Sequence, residues 1–138
     1  MEQPARLHRF GFTFGKGGAH AARTMMLSEL RCLLDGVDAG AQRPDYRTAI
    51  VDSNVLDKAT WKARQLTFDH LSDLYGLDPT VCLFRVFRQL WYLEEEGRPV
   101  LALLSALARD ALLRLSAPMI LAMKPGEQLT RERTEQVF

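Results

Sequence analysis

The fold is decided by residues 60–76, which read TWKARQLTFDHLSDLYG. Thr60 is suited to the N-cap of a helix, because its hydroxyl can accept a hydrogen bond from an otherwise unpaired backbone N–H group. Apolar residues then repeat at helical spacing, and Gly76 is of the type that commonly ends a helix. The stretch therefore predicts a helix from Trp61 to Tyr75.

The composition is that of a globular protein. The chain has 138 residues, of which 47% are hydrophobic and 25% are charged, as is usual for one folded domain. Eighteen Lys and Arg residues against 17 Asp and Glu residues give a formal net charge of +1, which neither requires nor excludes a polyanionic partner. We expect an N-terminal arm with a glycine-rich joint over residues 1–18 and a single helical domain over residues 19–138.

Further helices are predicted on both sides of residues 60–76. Apolar residues at helical spacing, proline at first-turn positions and glycine or polar residues at the ends delimit them. Their predicted spans are residues 19–34, 44–52, 79–93 behind a capping Asp78, 99–115 and 116–123, with Thr130 capping a last helix. The predicted fold class is therefore all-α, a compact bundle of about six helices.

The N-terminal segment has a different pattern. Phe10, Phe12 and Phe14 alternate with small or polar residues, so an extended backbone would place the three rings on one face. No second strand is evident to pair with this segment. We therefore expect a short extended arm packed onto the helices, preceded by a loose end over residues 1–7.

Two features speak to the environment of the protein. The most apolar stretch, residues 99–115, contains Arg109 and Asp110 and is shorter than the 20 or so residues that span a bilayer. We therefore expect a core helix there and no membrane partner. Cys32 and Cys82 both fall within apolar helical patterns, which predicts reduced core thiols in a cytoplasmic protein.

The residues that could support catalysis or metal binding form no recognisable site. The three His and two Cys residues lack the local pairing of metal ligands, and no nucleophile, base and orienting group can be assembled. The glycines of residues 15–18 lack the spacing of a phosphate-binding loop, which favours a flexible joint over a nucleotide site. We expect no catalytic residues, no metal and no cofactor.

A helix-turn-helix-like pair is the feature that stands out. The short helix over residues 44–52, a turn and the helix from Trp61 resemble the arrangement in which a second helix approaches DNA. Thr60 and Lys62 are predicted to contact phosphates and Arg64 to reach a base edge. The full set of predicted DNA contacts is Lys58, Thr60, Lys62 and Arg64, with Lys16 and Arg23 as a second phosphate-binding patch. The alternative is a capped surface helix with ordinary solvated cations.

Two segments together resemble those of a known family. Residues 12–19 read FTFGKGGA and are followed by Arg23, so aromatic and small residues lead through a double glycine into a predicted helix. Residues 54–60 read NVLDKAT and are followed by Arg64, which makes an Asn-x-Leu-x-Lys/Arg segment that leads into a basic helix. Both segments are similar to those of the BrxA family, small proteins of the bacterial BREX phage-defence systems. The resemblance covers residues 10–123.

This resemblance implies a function as well as a fold. It implies an all-helical, cytoplasmic protein that acts beside other BREX components in antiviral defence and binds double-stranded DNA without enzymatic activity. Family members are generally longer, so the chain is either a fragment or a short form, and the acids at positions 52, 57 and 69 dilute its basic surface. The alternative is a protein–protein adaptor that binds no nucleic acid and is anchored by exposed Trp61, Trp91 and Tyr92.

Overall fold

The computed structural model describes residues 2–14 and 25–137, with side chains from residue 5 onward, and the regular secondary structure in these ranges is all helical. Six of the α-helices in these ranges have seven residues or more, and the same ranges contain no strand. The helices are α1 Glu2–Phe10, α2 Leu27–Gly36, α3 Arg43–Arg47, α4 Trp61–Tyr75, α5 Cys82–Trp91, α6 Arg98–Arg109, α7 Ala111–Leu121 and α8 Arg131–Glu135, and a π-helical segment, Thr48–Asp52, directly follows α3. The predicted all-α bundle with a helix-turn-helix-like pair is confirmed.

The core is centred on five aromatic rings. Tyr46 meets Phe84 edge-on with 5.5 Å between ring centroids, and Phe87 lies 5.6 Å from Tyr75 and 5.5 Å from Trp91. All five residues are buried. Because edge-to-face and tilted pairs are each worth about 0.5–1.5 kcal/mol beyond simple burial, this cluster holds α3, α4 and α5 together.

Helix α6 is central because its inner face is made of small residues. Ala102 and Ala106 are fully buried, and α6 contacts both α4 and α5. The hydroxyl of Ser105 donates a hydrogen bond to the carbonyl of Leu74 over 3.2 Å, which ties α6 to the end of α4. The sequence-based expectation of a core helix here is confirmed for Arg98–Arg109.

The predicted extended arm is present over residues 12–14 and packs where α6 meets α7. The backbone N–H of Thr13 donates to the carbonyl of Ala108 over 3.1 Å, and the Thr13 hydroxyl donates to the carbonyl of Arg109. The guanidinium of Arg114 lies 5.9 Å from the Phe12 ring centroid and 5.1 Å from that of Phe14. The arm is therefore held by a hydrogen-bonded backbone as well as by its aromatic rings.

Gly11 permits the close approach of the arm to α5. Its φ is +133°, and a Cβ at this position would lie 2.7 Å from Cβ of Leu83 and 2.8 Å from Cγ1 of Val81. Real side chains do not tolerate such contacts, so only glycine fits without a shift of the backbone.

The N-terminal predictions need two corrections. Residues 1–7 were expected to be a loose end, but α1 runs over Glu2–Phe10 and contacts α5. Of the helix expected over 19–34, residues 19–24 lie outside the described residues, and in the described part α2 begins at Leu27, because Met26 has a left-handed backbone with φ of 53°. The predicted domain boundary at residues 18 and 19 lies outside the described residues.

Two predicted helix starts are also wrong. The carboxylate of Asp78 accepts hydrogen bonds from the backbone N–H and the hydroxyl of Thr80, at 2.9 and 2.8 Å, and so forms a turn before α5 begins at Cys82. The helix expected over 99–115 breaks at Asp110. The Asp110 carboxylate accepts hydrogen bonds from the backbone N–H groups of Leu112 and Leu113, at 3.0 and 3.1 Å. Asp110 is thus the N-cap of α7, and the start expected at residue 116 lies inside that helix.

The cysteines are less buried than expected. Cys32 is exposed and Cys82 is partly exposed, and both are free thiols. The prediction of a core thiol is therefore wrong for Cys32, whose Sγ lies on the surface of α2, 3.5 Å from the carbonyl of Val55. Across the described ranges, no helix combines the length and the apolar character needed to cross a membrane.

Candidate nucleic-acid interface

The helix-turn-helix-like pair consists of α3 with the π-helical segment, the turn over residues 53–60, and α4. Asn54 closes this turn: its backbone is left-handed with φ of 51°, its side-chain nitrogen donates to the carbonyl of Lys58 over 3.1 Å, and its side-chain oxygen accepts from the N–H of Lys58 over 2.8 Å. Asparagine is among the few residues other than glycine that adopt this backbone readily. Sequence reasoning noted Asn54 only as part of a motif and missed that it fixes the shape of the turn.

Thr60 begins α4 as predicted. Its hydroxyl oxygen accepts a hydrogen bond from the N–H of Ala63 over 3.1 Å, which confirms the N-cap. The first turn of α4 contains no acidic residue, and Lys62 in that turn is exposed. Since a helix N-terminus carries partial positive charge, Lys62 and the free N–H groups of this turn present one sign of charge to solvent.

Lys58 lies in the turn but is not free. Its Nζ is 3.4 Å from Oε1 of Glu29 on α2, and about 30% of each side chain is exposed. This ion pair holds α2 against the turn and offsets the charge that was expected to face a phosphate. Lys58 can serve a ligand only in competition with Glu29.

Arg64 is turned inward. One terminal nitrogen of its guanidinium donates to the carbonyl of Val51, at 3.3 Å, at the end of the π-helical segment. Its Nε is buried without a hydrogen-bond partner among the described residues. Arg64 therefore braces the two helices of the pair, and the structure does not place it where a base edge could be read.

The predicted contacts are thus only partly brought together. The residues at the N-terminal end of α4 will be called the lysine edge, which consists of Lys58, Thr60 and Lys62. Arg64 is not part of this edge, because its guanidinium is bound to the carbonyl of Val51. Lys16 and Arg23, the predicted second patch, lie outside the described residues.

About half of the arginines in the described ranges donate to backbone carbonyls, most of them at the ends of helices. Seven of them donate hydrogen bonds to backbone carbonyls: Arg43, Arg64, Arg85, Arg88, Arg98, Arg109 and Arg114. None of these seven is in an ion pair with a carboxylate of the described residues. The last carbonyls of a helix lack partners within the helix and carry partial negative charge, so a guanidinium satisfies both needs.

At the C-terminal ends of four long helices, the backbone carbonyls accept hydrogen bonds from an arginine outside that helix. Arg88 donates to the carbonyls of Leu34 and Val37 at the end of α2, and Arg98 donates to that of Trp91 at the end of α5. The end of α4 is met by Arg109 and that of α6 by Arg114. A count of basic residues in the sequence therefore overstates the charge available to a nucleic acid.

The three aromatic residues expected to anchor a protein partner differ in their exposure to solvent. Trp61 is 55% exposed and Tyr92 is 50% exposed, whereas Trp91 is fully buried in the aromatic core. The next residue, Leu93, is 78% exposed. Two of the three rings expected to face a partner therefore lie on the surface.

The pKa shifts of Tyr75 and Arg109 are caused by their burial in the fold. Burial raises the pKa of Tyr75, whose hydroxyl donates to the carbonyl of Met25 over 2.5 Å, with a further increase from Glu29. Burial likewise lowers the pKa of Arg109. Over the described residues, no group of three or more His, Cys, Asp or Glu side chains is placed to hold a metal ion.

Comparisons with known proteins identify no relative of this chain. No model of a protein family matches the chain, and neither the curated proteins nor the solved structures give a match. The BREX resemblance therefore stays a prediction that rests on its two motifs.

Proposed function

We propose that this chain is a non-enzymatic, cytoplasmic accessory protein of a BREX-type antiviral defence system that binds double-stranded DNA through phosphate contacts at the lysine edge. The observation that carries the proposal is the first turn of α4, which is capped by Thr60, free of acidic residues and open to solvent at Lys62. The turn before it is rigid because Asn54 closes it, so little order would be lost on binding.

The contacts argue for weak binding that tolerates changes of DNA sequence. Lys62 is exposed, whereas Lys58 must leave Glu29 before it can bind, so at most two phosphates can be neutralised. The logarithm of the binding constant should then fall with the logarithm of salt concentration with a slope no steeper than about −2. With Arg64 bound to a backbone carbonyl, phosphate contacts dominate over base readout.

The test is fluorescence anisotropy of a labelled duplex at low salt. Lys62→Glu should weaken binding roughly tenfold, because it reverses the charge of the most accessible cation at the edge. The matched control is Lys124→Glu, which makes the same change in net charge at an exposed lysine after α7. Equal weakening by the two substitutions would attribute binding to net charge and exclude the lysine edge.

A second variant tests the edge in the opposite direction. Glu29→Gln removes the carboxylate that holds Lys58, so DNA binding should strengthen roughly two- to fivefold. If Lys58 only stabilises the fold, Glu29→Gln should not increase the affinity for DNA. Unchanged affinity in Glu29→Gln would remove Lys58 from the interface.

The adaptor function is the second candidate, favoured by the exposure of Trp61 and Tyr92. Large aromatic rings at the surface are typical anchors of protein interfaces. Trp61→Ala and Tyr92→Ala should then reduce binding to a purified BREX component at least tenfold, with Leu129→Ala as a control at another exposed apolar residue. Equal loss in the control would contradict a specific role for the two rings.

A further inference from the structure

A cleft of about 440 Å³ lies between the loop before α3 and the outer side of α5, away from the lysine edge. Its apolar lining includes Pro79, Tyr92 and Phe84, which is only 1% exposed, so a flat apolar body would meet mainly Pro79 and the ring of Tyr92. The volume is within the range of about 300–1,000 Å³ that is usual for small-molecule sites.

The charged residues of this cleft are all of one sign. Its nine lining residues include Arg85 and Arg88 and no Asp or Glu, while Gln42 and Gln89 add two neutral amides. A mostly apolar cleft with a few convergent polar groups of one sign is the usual form of a site for a small charged ligand.

Arg88 supplies a buried positive charge. It is 5% exposed, and its guanidinium donates to the carbonyls of Leu34 and Val37 at 3.2 and 2.5 Å. It has no ion pair within the described residues, and its Nε is buried without a hydrogen-bond partner there. A cation removed from water without a counter-anion is costly, so an anion placed in the cleft would be stabilised by it.

Arg85 supplies an accessible charge at the rim. One terminal nitrogen donates to the carbonyls of Pro79 and Thr80, at 2.8 and 3.3 Å. The remaining donors of its guanidinium have no hydrogen bond within the described ranges, and the side chain is exposed. A guanidinium fork of this kind matches the two oxygens of a carboxylate.

Two carboxylates near the cleft, one in the loop before α3 and one in the first turn of α3, already accept backbone hydrogen bonds. Asp38 accepts a hydrogen bond from the N–H of Gly40 at 3.2 Å, and Asp45 accepts one from the N–H of Gln42 at 2.8 Å. Neither forms an ion pair with Arg88, and neither lines the cleft. The cleft is therefore lined by arginines and by no carboxylate, and the carbonyls and aromatic rings around Arg88 bring only partial negative charge to it.

We infer that this cleft binds a small organic anion that combines a flat apolar body with a carboxylate group. The apolar body lies against Pro79 and Tyr92, and the carboxylate is held by Arg85 in the field of Arg88. This site is separate from the lysine edge and does not depend on DNA binding.

The experiment is isothermal titration calorimetry of the full chain with three probes. Naphthoate supplies both the flat body and the charge, naphthalenemethanol supplies the body without the charge, and inorganic phosphate supplies the charge without the body. Naphthoate should bind at least tenfold more tightly than either of the others. Equal binding of the neutral probe or of phosphate would overturn the inference.

The location is tested with Arg85→Gln against Arg47→Gln, a matched loss of charge at an exposed arginine that does not line the cleft. Arg85→Gln should weaken naphthoate binding about tenfold and leave naphthalenemethanol binding unchanged, with helical circular dichroism showing that both variants are folded. Equal effects of the two substitutions on naphthoate would overturn the assignment to this cleft.

Discussion

The junction of the arm with α6 and α7 and the lysine edge of α4 both depend on cations, but they use them differently. At the arm junction, Arg109 and Arg114 each donate to three backbone carbonyls. At the lysine edge, Lys62 is exposed and Lys58 has a single ion pair at 3.4 Å. Guanidinium groups that satisfy buried carbonyls contribute to stability, whereas exposed ammonium groups remain available to a ligand.

The largest expected effect is at the arm junction. Arg109→Ala removes the donor shared by the carbonyls of Gly11, Ser72 and Asp73 and should lower the free energy of unfolding by about 3 kcal/mol. Arg109→Lys should recover little of this loss, because an ammonium group cannot reproduce the planar fork. Urea denaturation measures both variants.

The control for this prediction is Arg47→Ala, at an exposed arginine of α3, which should change stability by less than about 0.5 kcal/mol. Similar losses in Arg47→Ala and Arg109→Ala would mean that the two kinds of cation do not differ, and the comparison would fail.

The next effect tests the arm itself. Gly11→Ala places a Cβ against Leu83 and Val81 in a backbone of positive φ, so it should cost about 2 kcal/mol and loosen residues 12–14. Hydrogen exchange of the Thr13 amide, which is bonded to the carbonyl of Ala108, reports this loosening directly. Unchanged protection of that amide would show that the arm does not require glycine.

A smaller effect is expected in the turn before α4. Asn54→Ala loses two hydrogen bonds to the backbone of Lys58 and disfavours the left-handed conformation, at a cost of about 1.5 kcal/mol. Asn54→Gly keeps the conformation and loses only the hydrogen bonds, so its cost should be lower. Thermal unfolding ranks the two variants, and a more destabilising Asn54→Gly would contradict this explanation.

The smallest effect on stability is expected for the ion pair of the lysine edge. Glu29 and Lys58 are each about 30% exposed, so Glu29→Gln should alter the free energy of unfolding by less than about 0.5 kcal/mol. The same variant is expected to strengthen DNA binding, which separates stability from ligand contact at this edge. A loss above about 1 kcal/mol in chemical denaturation would place Lys58 with the structural cations.

The sequence-based predictions were most accurate for helices whose ends are fixed by capping residues at those ends. The span Trp61–Tyr75, its Thr60 cap and its Gly76 end all agree with the structure, because capping and glycine conformations act within a few residues. The extended arm was predicted from its alternating phenylalanines, and this holds for Phe12 and Phe14; the prediction is wrong for Phe10, which is the last residue of α1.

The failures occur where contacts between distant segments decide the outcome. An apolar pattern continues across Asp110, so periodicity predicted one helix, yet the carboxylate caps α7 and Arg109 is drawn to the end of α4. Arg64 fits a basic recognition helix by its position, but its partner is the carbonyl of Val51. Aspartate as a possible N-cap was a signal available for the first error; for the second, no local signal existed.

The attachment of the arm has a consequence for the order of folding. The Thr13 hydroxyl and the carbonyl of Arg109 are 96 residues apart in sequence, and the guanidinium of Arg114 and the carbonyl of Thr13 are 101 residues apart. During synthesis these partners leave the ribosome long after residue 13, so the arm closes only when α6 and the start of α7 have been made. Until that time the phenylalanines of the arm have no docking surface, so the arm reaches its final position only after the helices between it and α7 have been translated.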